Sequence, residues 1–136
     1  MANISLKNFF DAIRGRYNDE ANKVEVTGSK VEIVNDGNTA VSIPAGSYTS
    51  VSIEPAYDYR QVEIGFREEN NESFPLRVRV EPRTSAGSKM DDISLMNETN
   101  FRGSFRNDAI GERVLVIFNN DDTVSRSIVK YVAGVR

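Results

Sequence analysis

Carboxylates are the side chains through which this sequence could most readily do acid–base chemistry, because it contains neither histidine nor cysteine. The absence of histidine removes the commonest general base near neutral pH and with it the Ser-His-Asp triad. The absence of cysteine excludes disulfides, thiolate nucleophiles and cysteine zinc sites. The chemistry that remains belongs mainly to carboxylates, lysines and tyrosines, and we expect no catalytic metal and no organic cofactor.

A glycan hydrolase is the enzyme class that carboxylates alone could serve, since it needs two of them across a sugar-binding cleft. The candidate residues are Glu54, Asp58, Glu63 and Glu112. Their spacing selects no pair, and charged side chains are ordinarily exposed to solvent. The sequence therefore predicts a protein that is not an enzyme, with a carboxylate-based glycan hydrolase as the less favoured alternative.

Two acidic segments could in principle hold a calcium ion through oxygen ligands. One contains Glu68, Glu69 and Glu72, and the other contains Asp121 and Asp122. Neither segment has the alternating D-x-D-x-D-G order with a distal glutamate that marks a calcium-binding loop. Acidic residues and asparagines are common in turns, where they bond their own backbone. We interpret both segments as turns and predict no metal site, with calcium at these acidic segments as the alternative that the sequence leaves open.

A group of tyrosines offers a possible glycan platform. Tyr48, Tyr57 and Tyr59 lie within twelve residues of one another, with Asp58 and Arg60 beside them. Tyrosine rings can stack on sugar faces while neighbouring polar groups bond the hydroxyls, which is the general plan of a small-ligand site. The other interpretation is that these tyrosines cover the end of the hydrophobic core. The pattern leaves both open.

Arginines that share strand faces could receive phosphate or the acidic edge of a partner. Arg77 and Arg79 have the spacing of one face, and Arg102 and Arg106 flank another predicted strand. The chain nevertheless has 17 basic and 20 acidic residues and a formal net charge of −3. It also has no glycine-rich phosphate loop, so we predict no nucleic-acid partner and interpret these rows as solvated sheet faces.

Strands account for most of the chain after residue 22, where apolar residues alternate with polar ones. Val24–Thr27 and Val31–Ile33 flank Gly28-Ser29 and predict a first hairpin. Asp36-Gly37-Asn38 predicts the next turn. About nine short strands separated by turn residues predict a mainly β fold, an antiparallel β-sandwich or jelly roll. The further predicted strands are 41–43, 48–53, 62–66, 76–80 (closed by Pro82), 93–96, 101–105, 114–118 and 124–132.

One strand stands out because its apolar run is continuous. The sequence VLVIF at 114–118 is typical of a central strand covered on both faces. Asn119 to Asp122 then predict a turn into the strand 124–132, so that these two strands would pair as a hairpin.

A single amphipathic helix is predicted at Ser5–Arg16, with Ser5 as its N-cap. A helix of this length is marginal in water and must pack against something, either its own sandwich or another subunit. We predict a homo-oligomer, a trimer or a dimer, in which the apolar stripe contributes to the contact. The stripe residues expected at that contact are Leu6, Phe9, Phe10 and Ile13, and Tyr17 extends the same stripe.

The chain of 136 residues fits one domain, with the helix at 1–17 and the sandwich at 22–136. No run reaches the about 18 apolar residues expected of a membrane-spanning helix. The first residues lack the basic and apolar regions of a secretory signal. We therefore expect neither a membrane partner nor secretion.

The order of these features resembles the small sandwich modules of bacteriophage virions, namely head-decoration, head-fibre, collar and tail-accessory proteins. The likeness rests on a short N-terminal helix, the segment VSIPAGSYTSVSIEP at 41–55, and many strands that alternate valine or isoleucine with polar residues. It implies a non-enzymatic structural protein that forms a symmetric oligomer on a virus particle assembled in the bacterial cytoplasm. A carbohydrate-binding sandwich module is the alternative function.

Overall fold

The structure, a computed structural model, describes residues 31–108 and 111–136. The predicted helix Ser5–Arg16 and the predicted strand Val24–Thr27 lie outside these residues, and the single domain over 1–136 stays a prediction. The described residues form eight β-strands and a 3₁₀ turn at Ala56–Asp58. The strands are β1 Val31–Ile43, β2 Tyr48–Ile53, β3 Gln61–Glu68, β4 Phe74–Arg83, β5 Ile93–Asn100, β6 Arg102–Asn107, β7 Arg113–Asn120 and β8 Arg126–Val135.

The strands form two antiparallel sheets of four. Sheet 1 has the order β1-β8-β3-β6 and sheet 2 has the order β2-β7-β4-β5. The pairs β1·β8, β2·β7, β3·β6 and β4·β5 are nested within one another along the chain, as in a long hairpin that has been rolled up. This nesting is the strand order of a jelly roll, so the prediction of a mainly β, antiparallel fold is confirmed.

The two sheets contribute to one hydrophobic core. Val62 and Ile64 of β3 are fully buried, as are Val114 and Val116 of β7. The ring of Phe66 in sheet 1 meets the ring of Phe118 in sheet 2 edge-on, with centroids 6.3 Å apart. Side chains from the inner faces of both sheets therefore interdigitate, which is the packing of a sandwich.

Strand β7 occupies the central position that its apolar run predicts. It pairs with β2 on one side and with β4 on the other. Val114, Val116 and Phe118 point into the core, and Ile117 on the opposite face is buried as well. Coverage of both faces explains why the sequence is apolar at consecutive positions instead of alternating.

The predicted hairpin between residues 114–118 and 124–132 is wrong. Strand β7 belongs to sheet 2, whereas β8 belongs to sheet 1 between β1 and β3. The chain therefore passes from sheet 2 to sheet 1 between β7 and β8. The buried Asn120 holds this connection in place, because its Nδ2 donates to the carbonyl oxygens of Ile43 and Val124, each at 2.9 Å. A polar turn between two apolar runs cannot reveal whether the second strand pairs with the first or passes to the other sheet.

Two other local predictions also need correction. Asp36-Gly37-Asn38 is not a turn between strands but lies inside β1, where the pairing with β8 shifts register between Asp36 and Ala40. Gly37 has a φ of 75°, the left-handed conformation that glycine adopts readily in a bulge. Pro82 does not close its strand at residue 80, because β4 continues to Arg83 and Pro82 faces Val114 in the register.

No helix in the described parts of the chain is long and apolar enough to cross a membrane.

Candidate ligand-binding surface

The candidate surface is the outer face of sheet 1, which carries those side chains of the sheet that point away from the core. Successive residues of a strand face opposite sides of the sheet. Because Val62, Ile64 and Phe66 are core residues, their neighbours Glu63 and Gly65 project from the outer face. Arg67 continues that outer row.

A glycine and a tyrosine lie side by side at the centre of this face. Gly65 is paired with Tyr131 of β8 and with Ser104 of β6, and Asp36 of β1 is paired with Tyr131 on its other side. A Cβ atom built on Gly65 would lie 3.8 Å from the Cβ of Tyr131, an ordinary contact distance. Packing therefore does not require glycine here, and its missing side chain leaves open space beside the half-buried tyrosine ring.

Two cavities lie on this part of sheet 1. The first, of about 300 Å³, includes Gly65, Arg67 and Tyr131 in its lining. The second, of about 640 Å³, includes Arg67, Phe101 and Arg102. Because both are lined by Phe66, Arg67 and Gly103, we treat them as one groove, called the sheet-1 groove below. Their volumes are in the range of small-ligand sites.

Polar groups are held in place next to the tyrosine ring. Arg106 donates from Nε and Nη2 to Oε2 of Glu63, at 3.0 and 2.7 Å. Burial raises the pKa of the Tyr131 hydroxyl, and the adjacent Glu63 carboxylate raises it further by its charge and by a hydrogen bond. The hydroxyl therefore stays protonated at neutral pH. The arrangement presents an aromatic ring together with an oriented donor and acceptor.

The three tyrosines predicted from the sequence are not brought together. Tyr48 begins β2, Tyr57 follows its end, and their side chains are 61% and 66% exposed. The extended strand between them is about 17 Å long. Tyr59 packs against Gly134, where a Cβ would lie 2.5 Å from its ring, and its hydroxyl donates to Glu32 at 2.7 Å. Tyr59 thus covers the core, and a glycan platform at these residues stays a prediction.

The candidate hydrolase carboxylates are distributed over both sheets. Glu63 lies on the outer face of sheet 1 and is paired with Arg106. Glu54 follows β2 of sheet 2 and is paired with Arg113 at 3.1 Å. Asp58 lies in the 3₁₀ turn, and Glu112 accepts a backbone hydrogen bond just before β7. The arrangement gives no support to a pair that acts across one sugar.

The acidic segments act as turn formers in the described structure. The buried Glu68 accepts hydrogen bonds from the backbone N–H groups of Asn70 and Glu72, at 2.6 and 2.9 Å. Asp122 pairs with Arg126 at 2.8 Å. Asp121 likewise pairs with Arg77, and Glu69 continues the first turn. Over residues 31–108 and 111–136 there is no group of three acidic side chains placed to hold a metal ion.

The arginine rows fall on different sheets. Arg77 pairs with Asp121 on sheet 2, and Arg79 there pairs with Glu81 and with Asp92. Arg102 and Arg106 lie on sheet 1, and Arg102 lines the sheet-1 groove. Sequence reasoning found these two but missed Gly65 and Tyr131, although the strand alternation around residue 65 already placed Gly65 on a polar face. The sequence does not reveal that β8 is the strand next to β3, and it is this pairing that brings Tyr131 beside Gly65.

Comparison with known proteins identifies the fold and no family. No protein-family model matches the sequence, and no curated protein sequence matches it. A solved structure of the Clostridium thermocellum xylanase 10B carbohydrate-binding and catalytic modules, complexed with xylohexaose, is similar with a TM-score of 0.50 and 9% identity. It covers 79% of this chain and 24% of that one.

Two further solved structures are similar at lower scores. The tailspike protein 4 domain of bacteriophage CBA120 has a TM-score of 0.46 and 17% identity, covering 79% of this chain and 18% of that one. A family 35 carbohydrate-binding module from C. thermocellum has a TM-score of 0.46 and 10% identity, covering 77% and 98%. The chain thus spans about a fifth of the tailspike and a quarter of the xylanase structure. At a TM-score of 0.50 and 9% identity, the likeness to the xylanase structure shows a similar fold alone.

Proposed function

We propose that this protein is a carbohydrate-binding module that binds a glycan on the outer face of sheet 1 without transforming it. The observation that carries the proposal is the pairing of Gly65 with Tyr131 at the floor of the sheet-1 groove. A sugar ring can lie against the tyrosine in the space that the absent side chain leaves. Aromatic faces and a few placed polar groups are what such sites use.

The polar neighbours suit the hydroxyl groups of a sugar. Glu63 is held by Arg106, so its carboxylate is oriented before any ligand arrives. Preorganisation of this kind lowers the entropy that binding must overcome. The same fold occurs in a xylanase structure that contains a carbohydrate-binding module, so the fold is compatible with this function.

The experiment is a glycan-array screen followed by calorimetry on the glycan that binds. We expect Tyr131→Ala to weaken binding at least about tenfold, since the stacking surface is lost, and Tyr131→Phe to weaken it less. Tyr48→Ala and Tyr57→Ala are matched controls at exposed tyrosines elsewhere and should bind as the wild type does. An array with no bound glycan, or a loss confined to the two control variants, would contradict the proposal.

A structural protein of a virus particle is the second candidate function, and one observation favours it. Among the described strands, β1 lies at an edge of sheet 1, and it exposes Val31, Ile33 and Val34 by 42%, 57% and 41%. An exposed apolar edge strand is a ready site for pairing with another chain. This candidate keeps the predicted trimer or dimer, with Leu6, Phe9, Phe10 and Ile13 at the contact.

Sedimentation velocity at high micromolar concentration tests the second candidate. We expect a homo-oligomer that becomes smaller when residues 1–17 are removed or when Ile33 is changed to Lys, while the sandwich still unfolds cooperatively. A full-length protein that sediments as a monomer would contradict the predicted self-association.

A further inference from the structure

Two arginines stand opposite each other at one end of the sheet-1 groove. Arg67 of β3 is paired with Arg102 of β6 in the antiparallel register, and both project from the outer face. Directly opposite residues have Cβ atoms about 5 Å apart, and like charges at such positions destabilise a sheet. The pair therefore calls for a compensating negative charge.

The described residues do not provide that charge. Arg67 donates through Nη1 to neutral oxygens, namely the carbonyls of Glu68 and Glu69 at 3.4 Å and Oδ1 of Asn71 at 3.0 Å. The guanidinium of Arg102 lies 5.4 Å from the ring centroid of Phe101. Neither arginine forms an ion pair in the part of the chain that the structure describes.

Most other arginines of the described residues form ion pairs. Arg60 forms none within that part of the chain, but unlike Arg67 and Arg102 it lines neither of the two cavities. Arg77 pairs with Asp121 at 2.7 Å, Arg106 with Glu63 at 2.7 Å, and Arg126 with Asp122 at 2.8 Å. Arg67 and Arg102 instead line the cavity of about 640 Å³, together with Phe66 and Phe101. The positive charge thus faces an open site.

We infer that Arg67 and Arg102 bind the carboxylate of an acidic glycan, so that the domain recognises uronic-acid-containing chains. This inference rests on the proposed carbohydrate-binding function. Guanidinium groups form strong charge-assisted hydrogen bonds to carboxylates, and two of them can share one. Arg67 lies two residues from Gly65 on the same face, about 7 Å along the strand. A sugar stacked on Tyr131 therefore leaves its own or its neighbour's carboxylate within reach of both arginines.

The test compares uronic-acid hexasaccharides with the same hexasaccharides after reduction of their carboxyl groups to alcohols. Calorimetry should show that the acidic form binds the wild type at least about tenfold more tightly. Arg102→Gln should weaken binding of the acidic form more than binding of the reduced form and so remove this advantage. Arg77→Gln, an arginine substitution on sheet 2, is the matched control and should preserve the advantage. Raising the salt concentration should weaken binding of the acidic form more than binding of the reduced form.

The outcomes separate the two proposals. Equal affinity for both forms in the wild type, or an equal loss of both in Arg102→Gln, overturns the uronate inference and leaves carbohydrate binding standing. Binding of neither form to the wild type, with no hit on the glycan array, overturns both. Binding of inorganic sulfate alone, without any uronic-acid hexasaccharide, overturns the assignment to a glycan carboxylate.

Discussion

Gly65 of β3 and Tyr131 of β8 face each other across neighbouring strands on the outer face of sheet 1. Glycine weakens a strand interior, because it adds backbone entropy and packs no side chain. A Cβ at this position would make only van der Waals contacts of ordinary length, at 3.8 Å from the carbonyl oxygen of Gly103 and from the Cβ of Tyr131. Glycine at residue 65 is therefore best explained by the space it leaves beside the tyrosine ring.

Changing Gly65 to valine should separate binding from stability. We expect the free energy of unfolding to stay the same or to rise by about 0.5 kcal/mol, because valine favours a strand. Glycan binding should be lost, since the new side chain fills the groove beside Tyr131. Denaturant unfolding and calorimetry on the same preparation measure the two effects.

Gly103→Ala is the contrasting variant. Its Cβ would lie 2.7 Å from Cε1 of Phe66 and 2.8 Å from Cζ of Phe105, so two core-packed rings must move. We expect this variant to lose stability, unlike Gly65→Val. The explanation for Gly65 is wrong if Gly65→Val unfolds as readily as Gly103→Ala or binds glycan with unchanged affinity.

Strand β7 is the centre of sheet 2, and Val116→Asp tests that position. Val116 is fully buried between the sheets, so the aspartate would bring an unpaired charge into the core. We expect a loss of several kcal/mol in the free energy of unfolding, or failure to fold. Ser52→Asp, at an exposed position of the neighbouring β2, should change stability by less than about 0.5 kcal/mol. Equal unfolding midpoints for the two variants would refute the placement of β7.

The buried Asn120 links the end of β7 to the segments on either side of it. Its side chain donates to two carbonyls at 2.9 Å and accepts a hydrogen bond from the backbone N–H of Asp122 at 2.9 Å. Asn120→Ala leaves these buried groups unsatisfied and should cost about 2–4 kcal/mol. Asn119→Ala is the control, because Asn119 faces outward and its side chain accepts a hydrogen bond from Nε of Arg79 at 3.2 Å. Thermal unfolding monitored by circular dichroism should show the difference.

Acid should weaken the turn that follows β7. The backbone N–H of Thr123 holds the pKa of the Asp122 carboxyl below its usual range, and Arg126 lowers it further. A carboxyl whose pKa is lower in the folded state stabilises the fold above its unfolded pKa of about 3.9, and this stability is lost as the pH falls through the folded pKa. We expect the melting temperature of Asp122→Asn to fall less steeply below about pH 4 than that of the wild type. Melting temperatures that fall equally steeply with pH in the wild type and in Asp122→Asn would contradict this.

The sequence predicts the strands of this protein better than their partners. Alternation located Tyr48–Ile53 and the core of β3 because inner and outer faces differ in polarity at each step. It could not assign β7 and β8 to different sheets, because that choice depends on tertiary hydrogen bonds such as those of Asn120. The Asp36-Gly37-Asn38 segment has turn chemistry, yet a bulge uses the same residues inside a strand.

The candidate site was harder to predict for the same reason. Tyr131 and Gly65 are 66 positions apart in the chain and become neighbours only through the β3·β8 pairing. Tyr48 and Tyr57 are close in sequence, and yet β2 carries them to opposite ends of a strand. Nearness along the chain is thus a poor guide to a binding surface on an antiparallel sheet.

The most direct test of the account is a map of amide chemical-shift changes when the ¹⁵N-labelled protein is titrated with a glycan that it binds. The account predicts that the largest changes fall on the sheet-1 groove, at Gly65, Gly103, Ser104 and Tyr131. Saturation of these shifts at a single affinity, and their absence in Gly65→Val, would support one site on this face. Changes centred on Tyr48 or Tyr57, with the groove amides unmoved, would contradict it.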